Sequence, residues 1–138
     1  MALVLDTGPL YAALDRSDHN YHRCRRLVEA TRERLGVPSP VLVEVDQLFA
    51  RGRAADRFVE VLDDIAAGAY LVEDLTIGDY VGAGQICERN VDYDVGFVEA
   101  AVPAIVERLD EPKLATLDHR HFGILRPRHV DTPRLVPD

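Results

Sequence analysis

The sequence predicts an α/β fold, a sandwich built on a mainly parallel sheet, and three observations carry that expectation. Short apolar runs of strand length alternate with longer segments of helical period along the chain. Its 138 residues suit one domain with a sizeable core, so a single unit over residues 1–138 is expected. No internal repeat, low-complexity stretch or linker interrupts the alternation.

Ala2-Leu3-Val4-Leu5 reads as the first strand. A helix led by Pro9 follows, then a longer one over residues 21–35, ended by Gly36-Val37-Pro38. In Ser39-Pro40 the serine suits a helix cap and the proline a first turn, so a helix is expected over residues 40–51. Another covers residues 54–67, and residues 69–72 read as the second strand. Thr76 with Asp79 three residues on forms a capping-box pattern opening a helix to residue 89. Residues 95–109 read as helix, 113–117 as a strand and 134–136 as an edge strand.

With 24 acidic and 16 basic residues the formal charge is -8, which argues against a non-specific nucleic-acid coat protein. A nuclease stays compatible, because a metal can neutralise its carboxylates while local arginines hold phosphates. Cys24 and Cys87 lie far apart without a CxxC pattern, so neither a disulfide framework nor a cysteine zinc site is indicated. The N-terminus lacks a basic region followed by a long apolar stretch, and no run approaches the roughly 18 apolar residues of a membrane span. A reduced cytoplasmic setting without membrane association is expected.

Four acids stand at the ends of apolar runs: Asp6, Glu44, Glu99 and Asp118. A charge held beside a core is costly unless compensated, and a divalent cation is the economical shared compensator. Ligands of open α/β sheets sit beyond the carboxyl ends of strands, where Asp6 and Asp118 fall; if their strands are neighbours, the side chains converge. Each acid alone is as well suited to capping the next helix or turn. Two at equivalent strand ends favour a site. On the third helix Glu44 and Asp46 flank the apolar face on opposite sides, and periodicity does not choose between them. On the later helix Glu99 falls inside the edge of the apolar face. Pro103 cannot donate to the Glu99 carbonyl four residues earlier, which predicts a kink or a late helix start.

With these positions fixed, the chain resembles the PIN-domain ribonucleases, and among them the VapC-type toxins of bacterial toxin–antitoxin pairs. The carrying segments are Leu5-Asp6-Thr7-Gly8-Pro9-Leu10, Ser39-Pro40-Val41-Leu42-Val43-Glu44-Val45-Asp46, Val95-Gly96-Phe97-Val98-Glu99-Ala100-Ala101 and Leu114-Ala115-Thr116-Leu117-Asp118-His119-Arg120-His121-Phe122. The resemblance selects Glu44 over Asp46 and identifies Asp6, Glu99 and Asp118 as the rest of a catalytic quartet. It implies a three-layer α/β/α sandwich around a central, mainly parallel sheet. It also implies homodimers, an RNA substrate, and a cognate antitoxin whose C-terminal segment covers the active site. Two departures stand out: the third acid of that family is usually an aspartate before alanine, here Glu99-Ala100, and proline is not usual where Pro103 stands.

An all-oxygen set favours Mg²⁺ or Mn²⁺ over zinc. The expected chemistry is metal-dependent hydrolysis of a phosphodiester, with Asp6, Glu99 and Asp118 as ligands and Glu44 ligating or orienting the water. Thr7 and Thr116 are candidates to hold a ligand or phosphate through their hydroxyls. Arg120, Arg126 and Arg128, with Arg51 and Arg53, are candidate phosphate contacts. Among competitors, Asp6-Thr7-Gly8 matches the aspartic-protease triplet, but that chemistry needs a β-rich dimer. A phosphotransferase built on an aspartate nucleophile would want a second acid two residues on, where glycine stands. His19 and His22 with Cys24 lack a fourth zinc ligand, and His119 with His121 suits an exposed polar turn as well as acid–base work. The non-enzyme alternative is a PIN-like module, weakened by Glu99, that binds RNA or a partner without cutting.

Overall fold

The computed structural model describes residues 2–111, 113–119 and 134–137. Among the described residues five strands form one sheet: β1 (Ala2–Leu5), β2 (Arg34–Pro38), β3 (Leu71–Glu73), β4 (Lys113–Ala115) and β5 (Arg134–Val136). Their order is β3-β2-β1-β4-β5 and every pairing is parallel. The helices among the described residues are α1 (Thr7–Leu14), α2 (Tyr21–Ala30), α3 (Ser39–Arg51), α4 (Phe58–Ala66), α5 (Ile77–Arg89) and α6 (Phe97–Arg108). The result is the expected α/β/α sandwich. None of these helices is long and apolar enough to cross a membrane.

Because both faces are covered, β1 is buried through Leu3, Val4 and Leu5. These pack with Val37, Val41, Val45, Phe49, Val102, Val106 and Leu114 into the main core. The chain adds β2 and β3 to one side of β1, then returns to place β4 and β5 on the other. The strand order therefore reverses between β1 and β4, and the crevice beyond their carboxyl ends is where this architecture binds ligands.

The largest departure from the sequence reading is β2. Residues 34 and 35 were expected to end a helix, with Gly36 and Pro38 as breakers; instead α2 stops at Ala30 and Arg34–Pro38 is a strand. It pairs with β1 through Ala2 and Arg34 and with β3 through Gly36 and Leu71, so partners on both sides override local propensity. Smaller shifts are in boundaries. Ser39 opens α3 from inside the helix, with Pro38 at the cap position and no side-chain cap bond, while Pro40 occupies the first turn as expected. The residue 54–67 helix begins as a 3₁₀ turn, Ala55–Arg57. β3 starts two residues late, β4 is three residues long, and α6 runs unbroken through Pro103 from Phe97.

The capping box on α5 is complete. Thr76 Oγ1 accepts from the Asp79 N–H at 3.2 Å, and Asp79 Oδ2 accepts from the Thr76 N–H at 2.9 Å. Asp79 is buried and also receives Arg108 Nε at 2.9 Å, which ties α5 to α6. Thr76→Ala is expected to cost about 1 kcal/mol, read as a lower chemical-denaturation midpoint at unchanged slope.

Candidate active site

β1 hands the chain to α1 at Asp6, whose backbone N–H donates to Ala115 O at 2.9 Å. That bond locks the end of β1 to the end of β4. Beyond β4, Thr116 is fully buried; its N–H donates to Val136 O at 2.8 Å and its hydroxyl donates to Asp6 Oδ2 at 3.0 Å. The same hydroxyl oxygen accepts from the Asp118 N–H at 3.1 Å, so one threonine holds both strand-end acids. Glycine at position 8 permits the close fit of α1 to this turn, since an added Cβ would stand 3.3 Å from Leu117 Cβ.

Glu44 comes from the second turn of α3. Thr7 Oγ1 donates to Glu44 Oε2 at 2.8 Å, which links α3 to the start of α1 beside Asp6. Glu44 is partly buried while Asp46 is exposed, so packing separates the two acids that periodicity left equivalent. Both threonines thus act on carboxylates.

The electrostatics are concentrated on Asp6. Burial pushes its carboxyl from 3.8 up to about 6; the Thr7 backbone N–H and the Thr116 hydroxyl pull it down, and the like charges of Glu44 and Asp118 push it further up. Three of the four predicted acids therefore share one electrostatic neighbourhood.

Glu99 is placed differently. Its Oε2 accepts from the Gly96 N–H at 2.8 Å, so the carboxylate caps its own helix. The Gly96-x-x-Glu99 spacing carries that signal, masked because glycine supplies no capping side chain. Beside it, Phe97 and Val98 join Val43, Glu44 and Tyr80 in lining a groove, with the Tyr80 and Phe97 rings stacked at 6.1 Å. Glu99 therefore sits near the edge of Glu44's groove with its carboxylate turned to the backbone.

Among the described residues no three His, Cys, Asp or Glu side chains are preassembled around a metal position. In donor type and charge the acids fit a hard cation: they are oxygen-only, and Asp6 carries an electrostatic cost that a cation would relieve. His119 Nε2 lies 3.0 Å from Thr116 O, a role in holding the turn. Cys24 is buried among Ala12 and Ala13, away from any zinc-like arrangement of the described residues. Arg51 and Arg53 are exposed at the end of α3. Arg120, His121, Arg126 and Arg128 lie outside the described residues.

Residues 3–124 match the PIN domain family. The chain belongs to the PIN-domain family. A relative of this PIN domain, ribonuclease VapC26 of Mycobacterium tuberculosis (strain ATCC 25618 / H37Rv), is 27% identical over 125 residues, covering 91% of this chain and 93% of the relative. Among solved structures, Mycobacterium tuberculosis VapC20, described as a sarcin–ricin loop cleaving toxin, has a TM-score of 0.74 at 19% identity, over 81% of this chain and 86% of that one. VapBC2 from Rickettsia felis, bound to a DNA fragment from its promoter, gives 0.69 at 14% identity over 99% and 98%. The PIN fold is common to all of them.

Proposed function

We propose that this PIN domain is a Mg²⁺- or Mn²⁺-dependent endoribonuclease and the toxin of a VapBC-type toxin–antitoxin pair. One observation carries the chemistry: Asp6 stands at the strand-order reversal with its carboxyl raised by burial and by Glu44 and Asp118. The ribonuclease relative, matched over nearly its whole length, supports RNA as substrate. The toxin–antitoxin neighbours support an antitoxin partner.

When bound, the divalent ion supplies charge neutralisation and a polarised water at the phosphodiester. The chain's part is placement. Asp6 and Asp118 are held as candidate ligands by Thr116 and the β1–β4 junction, and Glu44 is held by Thr7 to ligate or to orient water. Glu99, whose Oε2 accepts from the Gly96 N–H, would be the remaining ligand once that bond is given up. The exposed Val43, Tyr80 and Phe97 line the groove that holds Glu44, apolar surface beside the site that supports contact with an antitoxin or a second copy in a homodimer. Action on RNA as a toxin is in keeping with a cytoplasmic setting.

Purified protein is expected to cut RNA with Mg²⁺ or Mn²⁺ and to stop in EDTA; cleavage that persists in EDTA, or no cleavage with either ion, removes the reading. Glu99→Gln keeps an oxygen for the Gly96 cap and removes the charge. Its melting temperature should stay near wild type while Mn²⁺ affinity falls at least about tenfold. Unchanged affinity would make Glu99 a helix cap and nothing more.

A further inference from the structure

The groove that holds Glu44 departs from the acidic character of the chain around it. α3 supplies one wall through Pro40, Val43, Glu44 and Gln47, whose spacing of i, i+3, i+4 and i+7 stacks them along one helix face. The opposite wall comes from Leu75, from Tyr80 of α5, and from Phe97 and Val98 in the first turn of α6. The whole chain carries -8, yet among the described residues lining this groove Glu44 alone is charged.

Its place in the fold ties it to the strand-end acids. Ser39, also in the lining, directly follows β2, and Leu75 lies just past β3. With all strands parallel, the groove opens at the carboxyl edge of the sheet, the edge where β1 ends in Asp6. Glu44 is the joint between the two: it takes the Thr7 hydroxyl beside Asp6 at 2.8 Å and lines the groove. The groove therefore leads away from the acidic centre on its β2–β3 side.

The lining suits a flat, neutral ligand. Tyr80 and Phe97 are 53% and 51% exposed, with rings 8° from parallel and centroids 6.1 Å apart. Aromatic rings of this size ordinarily serve burial, and here two are aligned and left open. Gln47 and Ser39 add an amide and a hydroxyl, each able to donate and to accept a hydrogen bond without bringing charge. The volume, about 490 Å³, lies within the roughly 300–1,000 Å³ of small-molecule sites. Nine described residues line it, against about 20–30 a side in a stable protein interface. A nucleobase has the matching chemistry: two π-faces for the rings, polar edges for Gln47 and Ser39, and no charge for an acidic chain to repel.

We infer that this groove seats one unpaired nucleobase of the RNA, adjacent to the bond presented at Asp6 and Asp118, stacked on Tyr80 and Phe97 with its edge met by Gln47 and Ser39. The inference rests on the ribonuclease reading and adds a position at which the substrate is read. Stacking tolerates any base, so the choice among bases falls to Gln47 and Ser39.

The test starts from full-length wild-type protein, Mn²⁺ and a pool of randomised single-stranded RNA, in which a cleaved bond is located. RNAs carrying a single abasic nucleotide, moved position by position around that bond, are then compared by kcat/KM. One neighbouring position should show a drop of about tenfold when its base is missing. Tyr80→Leu/Phe97→Leu keeps apolar bulk and removes both rings; it should cut the intact RNA about tenfold less efficiently and no longer distinguish it from the abasic one. Tyr80→Phe keeps both rings and should keep the discrimination. Val81→Ser, exposed on α5 outside the groove lining, should match the wild type on every RNA. Should the double variant melt abnormally, Phe97→Leu alone should reduce the abasic penalty to about threefold. A wild type with no sensitive position, or a double variant that keeps the full penalty, would overturn the inference. So would an equal loss on all RNAs accompanied by a lighter species in light scattering, which assigns the rings to a second copy, or a loss confined to binding a protein partner. In each of these cases the nuclease reading stands, because wild-type cleavage is scored first; a wild type that cuts no RNA removes both.

Discussion

In EDTA at pH 8, Asp6→Asn is expected to be more stable than the wild type, and saturating Mn²⁺ is expected to reverse that order. The carboxyl of Asp6 sits at about 6 in the folded chain against an ordinary 3.8, so the folded state binds its proton more tightly than the unfolded state does. The stability this group contributes is therefore fully present below about pH 4 and is lost as pH rises through 6. At 1.36 kcal/mol per pKa unit, the loss by pH 8 is about 2–3 kcal/mol. Asparagine keeps the shape, still accepts the Thr116 hydroxyl, and sheds the charge that Glu44 and Asp118 oppose. A rise in melting temperature of roughly 6–12 °C follows for a domain of this size.

Mn²⁺ inverts the comparison because the charge is what the ion binds. At a free concentration about 100 times its dissociation constant, an ion stabilises the wild type by about 2.7 kcal/mol, and the asparagine variant gains far less. RNA cleavage should fall with it. Calorimetric melts of both proteins, with and without Mn²⁺ and at pH 4 and pH 8, check each part. Equal gains from Mn²⁺, or a variant that melts below the wild type in EDTA at pH 8, would show that Asp6 is an ordinary helix-capping acid.

What the sequence disclosed follows from how local each signal is. Asp6 and Asp118 were legible because an acid directly after a short apolar run marks a strand's carboxyl end, whatever the strand pairs with. Their convergence was conditional on neighbouring strands, and the β1–β4 pairing supplies that condition. β2 was illegible because Gly36 and Pro38 are local breakers; only pairing on two sides makes Arg34–Pro38 a strand. The Glu44–Asp46 choice needed the direction from which α1 approaches α3, a tertiary fact carried by Thr7. Pro103 predicts a kink or a late helix start; α6 begins at Phe97 and continues through the proline, with Ala100 to Val106 buried.

Thr116→Val should damage the site more than any other substitution that leaves every acid in place. Valine preserves the buried volume and deletes the hydroxyl that donates to Asp6 Oδ2 and accepts from the Asp118 N–H. Two losses follow from one atom: the Asp6 carboxylate loses a donor that holds its pKa down, and the Asp118 N–H loses its anchor. Together these are expected to cost about 1–3 kcal/mol of stability and 10–100-fold in Mn²⁺ affinity and cleavage rate. Thr116→Ser separates the hydroxyl from the packing. It gives up a methyl in a closed space, about 1 kcal/mol of stability, but restores both hydrogen bonds and with them the affinity and the rate. Thr7→Val is the matching control, since it releases Glu44 and leaves the Asp6–Asp118 pair bridged. If valine and serine at position 116 bind Mn²⁺ and cut RNA alike, the hydroxyl bridge is packing detail, and the two strand-end acids are set by their backbones alone.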